Sequence, residues 1–255
     1  MVLPRTPSFR LDGKRALVTG GTRGIGLAAA VSLASAGAAV TIAARTASDV
    51  ERVTGALTGA GFAVEGKALD DTDLPGVKAF MEAVAPFDIL VGSAGAERHA
   101  DFLDVAPEDF DAVISLNLKG LFFVAQAVAA KLVAARLPGS IIHISSQMGH
   151  VSGPMRSVYS ASKFAVEGLS KAIAIELGPH HIRVNTVCPT FVETELTAKS
   201  LSDPAFRAWV MAKVKLGRLA KLEDIMGPIV LLASDAAAMM TGSSLMVDGG
   251  WTAEQ

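Results

Sequence analysis

Residues 15–45 read RALVTGGTRGIGLAAAVSLASAGAAVTIAAR. A short apolar run at 16–19 leads into glycines at 20, 21, 24 and 26. Apolar residues then recur every three to four positions over 25–36, and a second apolar run follows at 39–44. Short apolar runs bounded by glycine read as buried strands, and the longer periodic stretch reads as a helix. Strand, glycine turn, helix, strand is a βαβ unit, whose two strands run parallel.

The same alternation continues along the chain. Further strand-like runs lie at 63–69, 88–92, 140–145, 183–188 and 244–247, with helical periodicity at 121–135 and 161–177. The expected fold class is α/β: a single-domain, Rossmann-like, doubly wound parallel sheet of about seven strands with helices on both faces. A composition that is 51% hydrophobic suits strands buried on two sides. No linker, composition shift or repeat divides the chain, so residues 1–255 are expected to form one domain.

With a net charge of −2 and interspersed signs, the chain lacks the basic stripe of a nucleic-acid binder and the cationic helix of a membrane binder. Residues 1–15 carry no apolar core of a secretory signal. Lys131 and Asp235 interrupt the longest apolar stretches before the ~18 residues a membrane helix needs. A cytoplasmic protein is expected. Cys188 is the only cysteine, so no intrachain disulfide can form, and it reads as a small buried apolar residue.

In open α/β sheets ligands bind beyond the carboxyl ends of the strands, and unusual residues gather there. Thr19 to Gly26, TGGTRGIG, runs from the first strand into a helix. Its glycines permit a tight turn and close approach to a pyrophosphate, and the helix N-terminus offers free N–H groups. A purely structural turn is the competing reading. A P-loop is excluded, because Leu27-Ala28 stand where Lys-Ser/Thr is required. Tyr159, the only tyrosine, lies four residues before Lys163, so the two share a helix face. A phenol titrates near pH ~10, and a nearby cation would lower that value. Ser146, past the fifth strand, could donate to a substrate oxygen.

TGGTRGIG, Asn117, Ser146 and YSASK (159–163) together resemble the short-chain dehydrogenase/reductase family, from Leu11-Asp12-Gly13-Lys14 to Val247-Asp248-Gly249-Gly250. The resemblance implies a cofactor half of about 11–150 and a catalytic and substrate half of about 151–255. It further implies hydride transfer between NADP(H) and the carbonyl or alcohol of a small ketone, keto-sugar or polyol. Ser146 would polarise the carbonyl, Tyr159 would pass the proton, and Lys163 would bind the nicotinamide ribose. Asn117 would hold a relay water. Gly20, Thr22, Arg23, Gly24, Ile25 and Gly26 would surround the pyrophosphate, with Ser93, Ala94 and Gly95 beside them. Pro189, Val192 and Thr194 would meet the nicotinamide, and Asp70, or alternatively Asp71, the adenine. Two departures stand out: Gly92-Ser93-Ala94-Gly95 replaces Asn-Asn-Ala-Gly, and Pro189-Thr190 replaces Pro-Gly. NAD-preferring relatives close the second strand with an Asp. Here it ends Ala43-Ala44-Arg45, and Arg45 with Arg23 suits a 2′-phosphate, unless both are merely solvated.

Met148, His150, Phe191, Phe206 and Trp209 are the substrate candidates. For His150 a structural loop role competes, and for Phe206 and Trp209 an ordinary helix core. The five histidines show no metal-binding spacing, so no metal is expected. The resemblance also implies a homotetramer. Three other readings are a 3-oxoacyl-[acyl-carrier-protein] reductase, a catalytically silent NADP-sensing protein, and a nucleotide-sugar epimerase or dehydratase. Leu137 and His180, where carrier-protein reductases tend to have arginines, argue against the first. The intact Tyr159 and Lys163 argue against the second, and the short chain against the third.

Overall fold

The computed structural model describes residue 1 and residues 3–254. Seven strands, β1 (Arg15–Thr19), β2 (Ala39–Ala44), β3 (Val64–Ala68), β4 (Ile89–Gly92), β5 (Gly139–Ile144), β6 (Ile182–Pro189) and β7 (Ser244–Val247), make one sheet. Its order is β3-β2-β1-β4-β5-β6-β7, and every pair is parallel. The helices among the described residues are α1 (Gly24–Ser35), α2 (Ala47–Gly59), α3 (Leu74–Ala83), α4 (Pro107–Ile114), α5 (Leu121–Ala135), α6 (Ser157–Leu177), α7 (Glu195–Leu201), α8 (Pro204–Lys213) and α9 (Leu222–Ala233). The chain builds outward from β1 to β3, crosses back to β4, and builds the other way to β7. This is the doubly wound Rossmann-like arrangement, and the reversal between β1 and β4 opens a crevice at their carboxyl ends.

Strand pleating divides the core in two. Ala16, Val18, Val40, Ile42, Ile89, Val91, Ile142 and Ile144 pack with α1, α2 and α9. Their neighbours of opposite parity, Leu17, Ala43, Leu90 and Ile141, pack with α3, α5 and α6. Alternate side chains leave opposite faces of a strand, so these continuous apolar runs feed both layers.

Two expectations shift. The periodicity beginning at 161 belongs to a helix that starts at Ser157, which brings Tyr159 into its first turn. Residues 107–135 form one helical run, long and apolar enough to cross a membrane, whereas Lys131 is expected from the sequence to cut the apolar stretch below that length. Lys131 folds its ammonium onto the carbonyl oxygens of Met81 (2.6 Å) and Val84, so its charge is satisfied against the end of α3. The run is a core helix here: Leu121, Val124, Ala125, Val128, Ala129 and Leu132 are buried in the α3–α5–α6 layer. Midway, α4 passes into α5 through a π turn, Ser115–Gly120, that carries the buried Asn117.

Candidate active site

The crevice is a cleft of about 430 Å³ lined from Arg45 and Thr46 at one end to Tyr159 and Phe191 at the other. Its floor is the turn after β1. Gly20 has φ +66, and a Cβ there would stand 2.8 Å from Ala94 N. A Cβ on Gly26 would stand 2.1 Å from Gly20 O. Only hydrogen fits at either position, and this lets the turn nest against residues 93–95. No side chain caps α1 and no acid occupies its first turn, so its N–H groups and positive dipole end are free for an anion.

Thr22, Arg23, Gly24 and Ile25 line this floor, with Ser93, Ala94 and Gly95 beside it and Pro189, Val192 and Thr194 opposite. Arg23 and Arg45 are exposed, and neither guanidinium has a hydrogen-bond or ion-pair partner among the described residues. Thr190, one of the two departures from the family pattern, places a buried Oγ1 without a partner in the cleft wall. An uncapped helix end, a floor whose close approaches require glycine at 20 and 26, and an unsatisfied hydroxyl fit a dinucleotide.

Ser146, Tyr159 and Lys163 meet at the inner end. Ser146 Oγ donates to Gln147 Oε1 (2.9 Å) and accepts from Met148 N (3.1 Å), and its hydroxyl favours the ionised form of the Tyr159 phenol. Lys163 Nζ lies 5.6 Å from the Tyr159 ring centre and donates to Ile144 O (2.9 Å). Burial pushes Lys163 down to about 8. The lowering of Tyr159 expected from a nearby cation is outweighed in this structure, where the cation that acts is Arg156. Burial, reinforced by the Glu97 carboxylate, raises the phenol and outweighs the Ser146 hydroxyl and Arg156. Lys163 bonds the Ile144 carbonyl rather than the phenol, and Tyr159 is held as a neutral proton donor.

Both donors of the Asn117 side chain are engaged. Its Oδ1 accepts from Ala96 N (2.8 Å), and its Nδ2 donates to Ala96 O (2.9 Å) and Ser162 Oγ (3.1 Å). Ser162 Oγ in turn donates to Tyr159 O (2.7 Å). The side chain therefore ties the loop after β4 to the turn carrying Tyr159, and Oδ1 keeps one lone pair.

Other candidates divide. Met148 and Phe191 line the cleft; His150 does not, because its ring turns toward Glu167 and Cys188. Phe206 and Trp209 lie behind the wall, Phe206 5.5 Å from Phe191 and Trp209 5.3 Å from Trp251 between ring centres. Both are partly buried against the cluster of Met148, Phe191 and Trp251. Asp70 stands outside the cleft and starts the turn into α3 by accepting from Thr72 N (2.9 Å) and Oγ1 (2.7 Å). The alternative, Asp71, lines the cleft, and burial pushes it up to about 6.

Sequence reasoning missed Glu97, Arg156 and Gln147, all of which line the cleft. Arg156 Nε donates to Glu97 Oε1 (3.0 Å), and its guanidinium lies 5.3 and 5.1 Å from the Phe191 and Phe206 ring centres. Burial pushes Glu97 up, but His99 and Arg156 outweigh it and hold the carboxyl below its ordinary range. Their signal was position: Glu97 lies two residues past Gly95, Gln147 follows Ser146, and Arg156 stands three before Tyr159.

Comparison with known proteins agrees with this geometry. A family model described as Enoyl-(Acyl carrier protein) reductase matches residues 20–252. D-erythrulose reductase from Gallus gallus is 41% identical over 96% of this chain and 98% of its own. D-threitol dehydrogenase from Mycolicibacterium smegmatis is 41% identical over 96% and 95%. A gluconate 5-dehydrogenase from Burkholderia cenocepacia, solved with NADP and tartrate, superposes with a TM-score of 0.94 at 36% identity, covering 97% of this chain and 98% of that one. The chain belongs to the short-chain dehydrogenase/reductase family, and it is an oxidoreductase that moves a hydride between a nicotinamide cofactor and an alcohol or carbonyl carbon.

Proposed function

We propose that the protein is an NADP-dependent reductase of small neutral keto-sugars, or dehydrogenase of the matching polyols, with Tyr159 as the proton-transfer group. The observation that carries this is one continuous cleft with Arg23 and Arg45 at its outer end and Ser146, Tyr159 and Lys163 at its inner end. When bound, the nicotinamide supplies or accepts the hydride. Ser146 Oγ holds the substrate oxygen by donating to it. The neutral Tyr159 hydroxyl passes its proton to that oxygen, and the nearby Lys163 ammonium stabilises the phenolate left behind. Asn117, with both side-chain donors spent on Ala96 and Ser162, acts as a positioning residue.

The unpartnered Arg23 and Arg45, with Ala44 ending β2, support NADP over NAD. Two guanidinium groups can make charge-assisted bonds to a 2′-phosphate at about 1.5–3 kcal/mol each. Solved relatives carrying NADP lend further support. Glu97 supports a neutral substrate. Its charge lines the cleft, and it occupies Arg156, the cation that an aldonate carboxylate would otherwise seek.

The seven strands in one sheet support reading residues 1–255 as one domain. Both its halves, about 11–150 and 151–255, contribute to the cleft. A homotetramer and a cytoplasmic location complete the proposal.

Steady-state kinetics test it. NADPH should exceed NADH in kcat/KM by about two orders of magnitude or more, given the bond energies above. Arg45→Asp should weaken NADPH strongly while sparing NADH. D-erythrulose and L-xylulose should outperform 5-ketogluconate. They should also outperform β-ketoacyl thioesters, which a 3-oxoacyl-[acyl-carrier-protein] reductase would take, and enoyl thioesters, which the family model's description names. Equal use of both cofactors would overturn the NADP assignment, and preference for the ketogluconate would overturn the neutral-substrate reading.

A further inference from the structure

Outside the cleft, three residues distant in sequence converge: His150 from the turn after β5, Glu167 from α6 and Cys188 from β6. His150 Nε2 lies 3.6 Å from Cys188 Sγ and 3.5 Å from Glu167 Oε2, and Cys188 Sγ lies 3.3 Å from Glu167 Oε1. A tetrahedral zinc-class ion has Zn–S about 2.3 Å and Zn–N or Zn–O about 2.0–2.2 Å. Those bonds hold ligand atoms about 3.3–3.6 Å apart. Here the His150 and Cys188 contacts reach the two different oxygens of Glu167, and one ligand atom from each residue lies within 4.8 Å of the others, so a small rotation of the carboxylate completes the set.

The surroundings suit a cation. Glu167 is 5% exposed and Cys188 is 0% exposed. Thr186 Oγ1 (3.1 Å) and Ser244 Oγ also donate to the Glu167 carboxylate. The buried Ser145 hydroxyl faces Glu167 and Cys188 without a well-formed hydrogen bond. Buried charges are paired or coordinate metals, yet the ion-pair contact to Glu167 is His150, which is charged only when protonated. Lys163, one helical turn earlier, bonds the Ile144 carbonyl instead. His150 is partly exposed, which provides an entry path.

We propose that His150, Glu167 and Cys188 bind one divalent ion of the zinc class, leaving a fourth coordination position open. A thiolate, an imidazole and a carboxylate together favour zinc over magnesium or calcium, which prefer all-oxygen sites. The sequence hides the site because intervals of 17 and 21 residues follow no metal-binding motif.

Cobalt(II) alone is the probe. Titrating the full chain with it should give one equivalent bound, visible bands of tetrahedral intensity, and a near-ultraviolet thiolate-to-cobalt band, all displaced by Zn²⁺. Cys188→Ser should abolish the near-ultraviolet band. His150→Ala should weaken Zn²⁺ at least tenfold, measured by chelator competition, the scale on which even outer-sphere changes act. Circular dichroism on both variants verifies folding. Binding that lacks the thiolate band, binding that is unchanged in either folded variant, or no stoichiometric binding would each overturn the proposal.

Discussion

Tyr159 and Asp71 show how burial sets the behaviour of single side chains. The Tyr159 phenol is raised by burial and by Glu97, so it is a proton donor at neutral pH. Tyr159→Phe keeps the ring and removes that proton, so turnover should fall by ~10²–10⁴-fold while NADPH binding, followed by fluorescence, persists. Asp71 moves from 3.8 up to about 6, chiefly through burial and against its Thr19 hydrogen bond. Its folded value exceeds its unfolded one, so the native state holds more protons between those pH values. Stability therefore falls as pH rises through that window and carries the full cost above about 6. A rise of that size corresponds to about 3 kcal/mol at most. Asp71→Asn should accordingly raise the melting temperature at pH 7.5 and lose that advantage near pH 4, as thermal melts at the two values would reveal.

Secondary elements were legible because each was long enough to repeat its pattern. Strands 39–44 and 244–247 appear with the ends expected, and the other five shift by one residue at one or both ends. Apolar runs flanked by glycine or polar turns have one stable use in a parallel sheet. Boundaries moved where a polar residue opens a helix: Ser157 and Tyr159 begin α6, yet carry no apolar periodicity. The junction of β1 and α1 depends on glycine as a volume rather than as a hinge. Gly26→Ala would drive a methyl to 2.1 Å from Gly20 O, and neither backbone can yield without opening the floor of the cleft. Overpacking of this kind costs about 1–3 kcal/mol. The variant should melt several degrees lower and bind NADPH at least tenfold more weakly, measurable by calorimetry.

The proposed homotetramer needs apolar surface to cover. Phe102 and Leu103 before α4, Phe110 on α4, and Phe164 and Ile175 on α6 are exposed, and α4 packs beside α6. Closed symmetric assemblies bury surface of this kind. Multi-angle light scattering at micromolar concentration should return four chains per particle. A monomer would refute the assembly, and Phe164→Glu should reduce the particle to a smaller species.

The fold could be read from the linear chain because it rests on short-range rules, whereas Ser146, Tyr159 and Lys163 are singled out by their resemblance to a family pattern. Strand and helix periods repeat within a dozen residues, and Tyr159 and Lys163 share a face by helical spacing alone. The sequence likewise carried the glycine turn and Arg45 at the end of β2. What depended on contacts between distant segments stayed hidden. Glu97 meets Arg156 across 59 residues, and Asn117 spends its side chain on Ala96 and Ser162, 21 and 45 residues away. His150 turns from the cleft toward Glu167 and Cys188. The direction in which Tyr159 moves belongs to the same class. Charge at helical spacing predicted a lowered phenol, whereas desolvation, which only the packed interior creates, raises it.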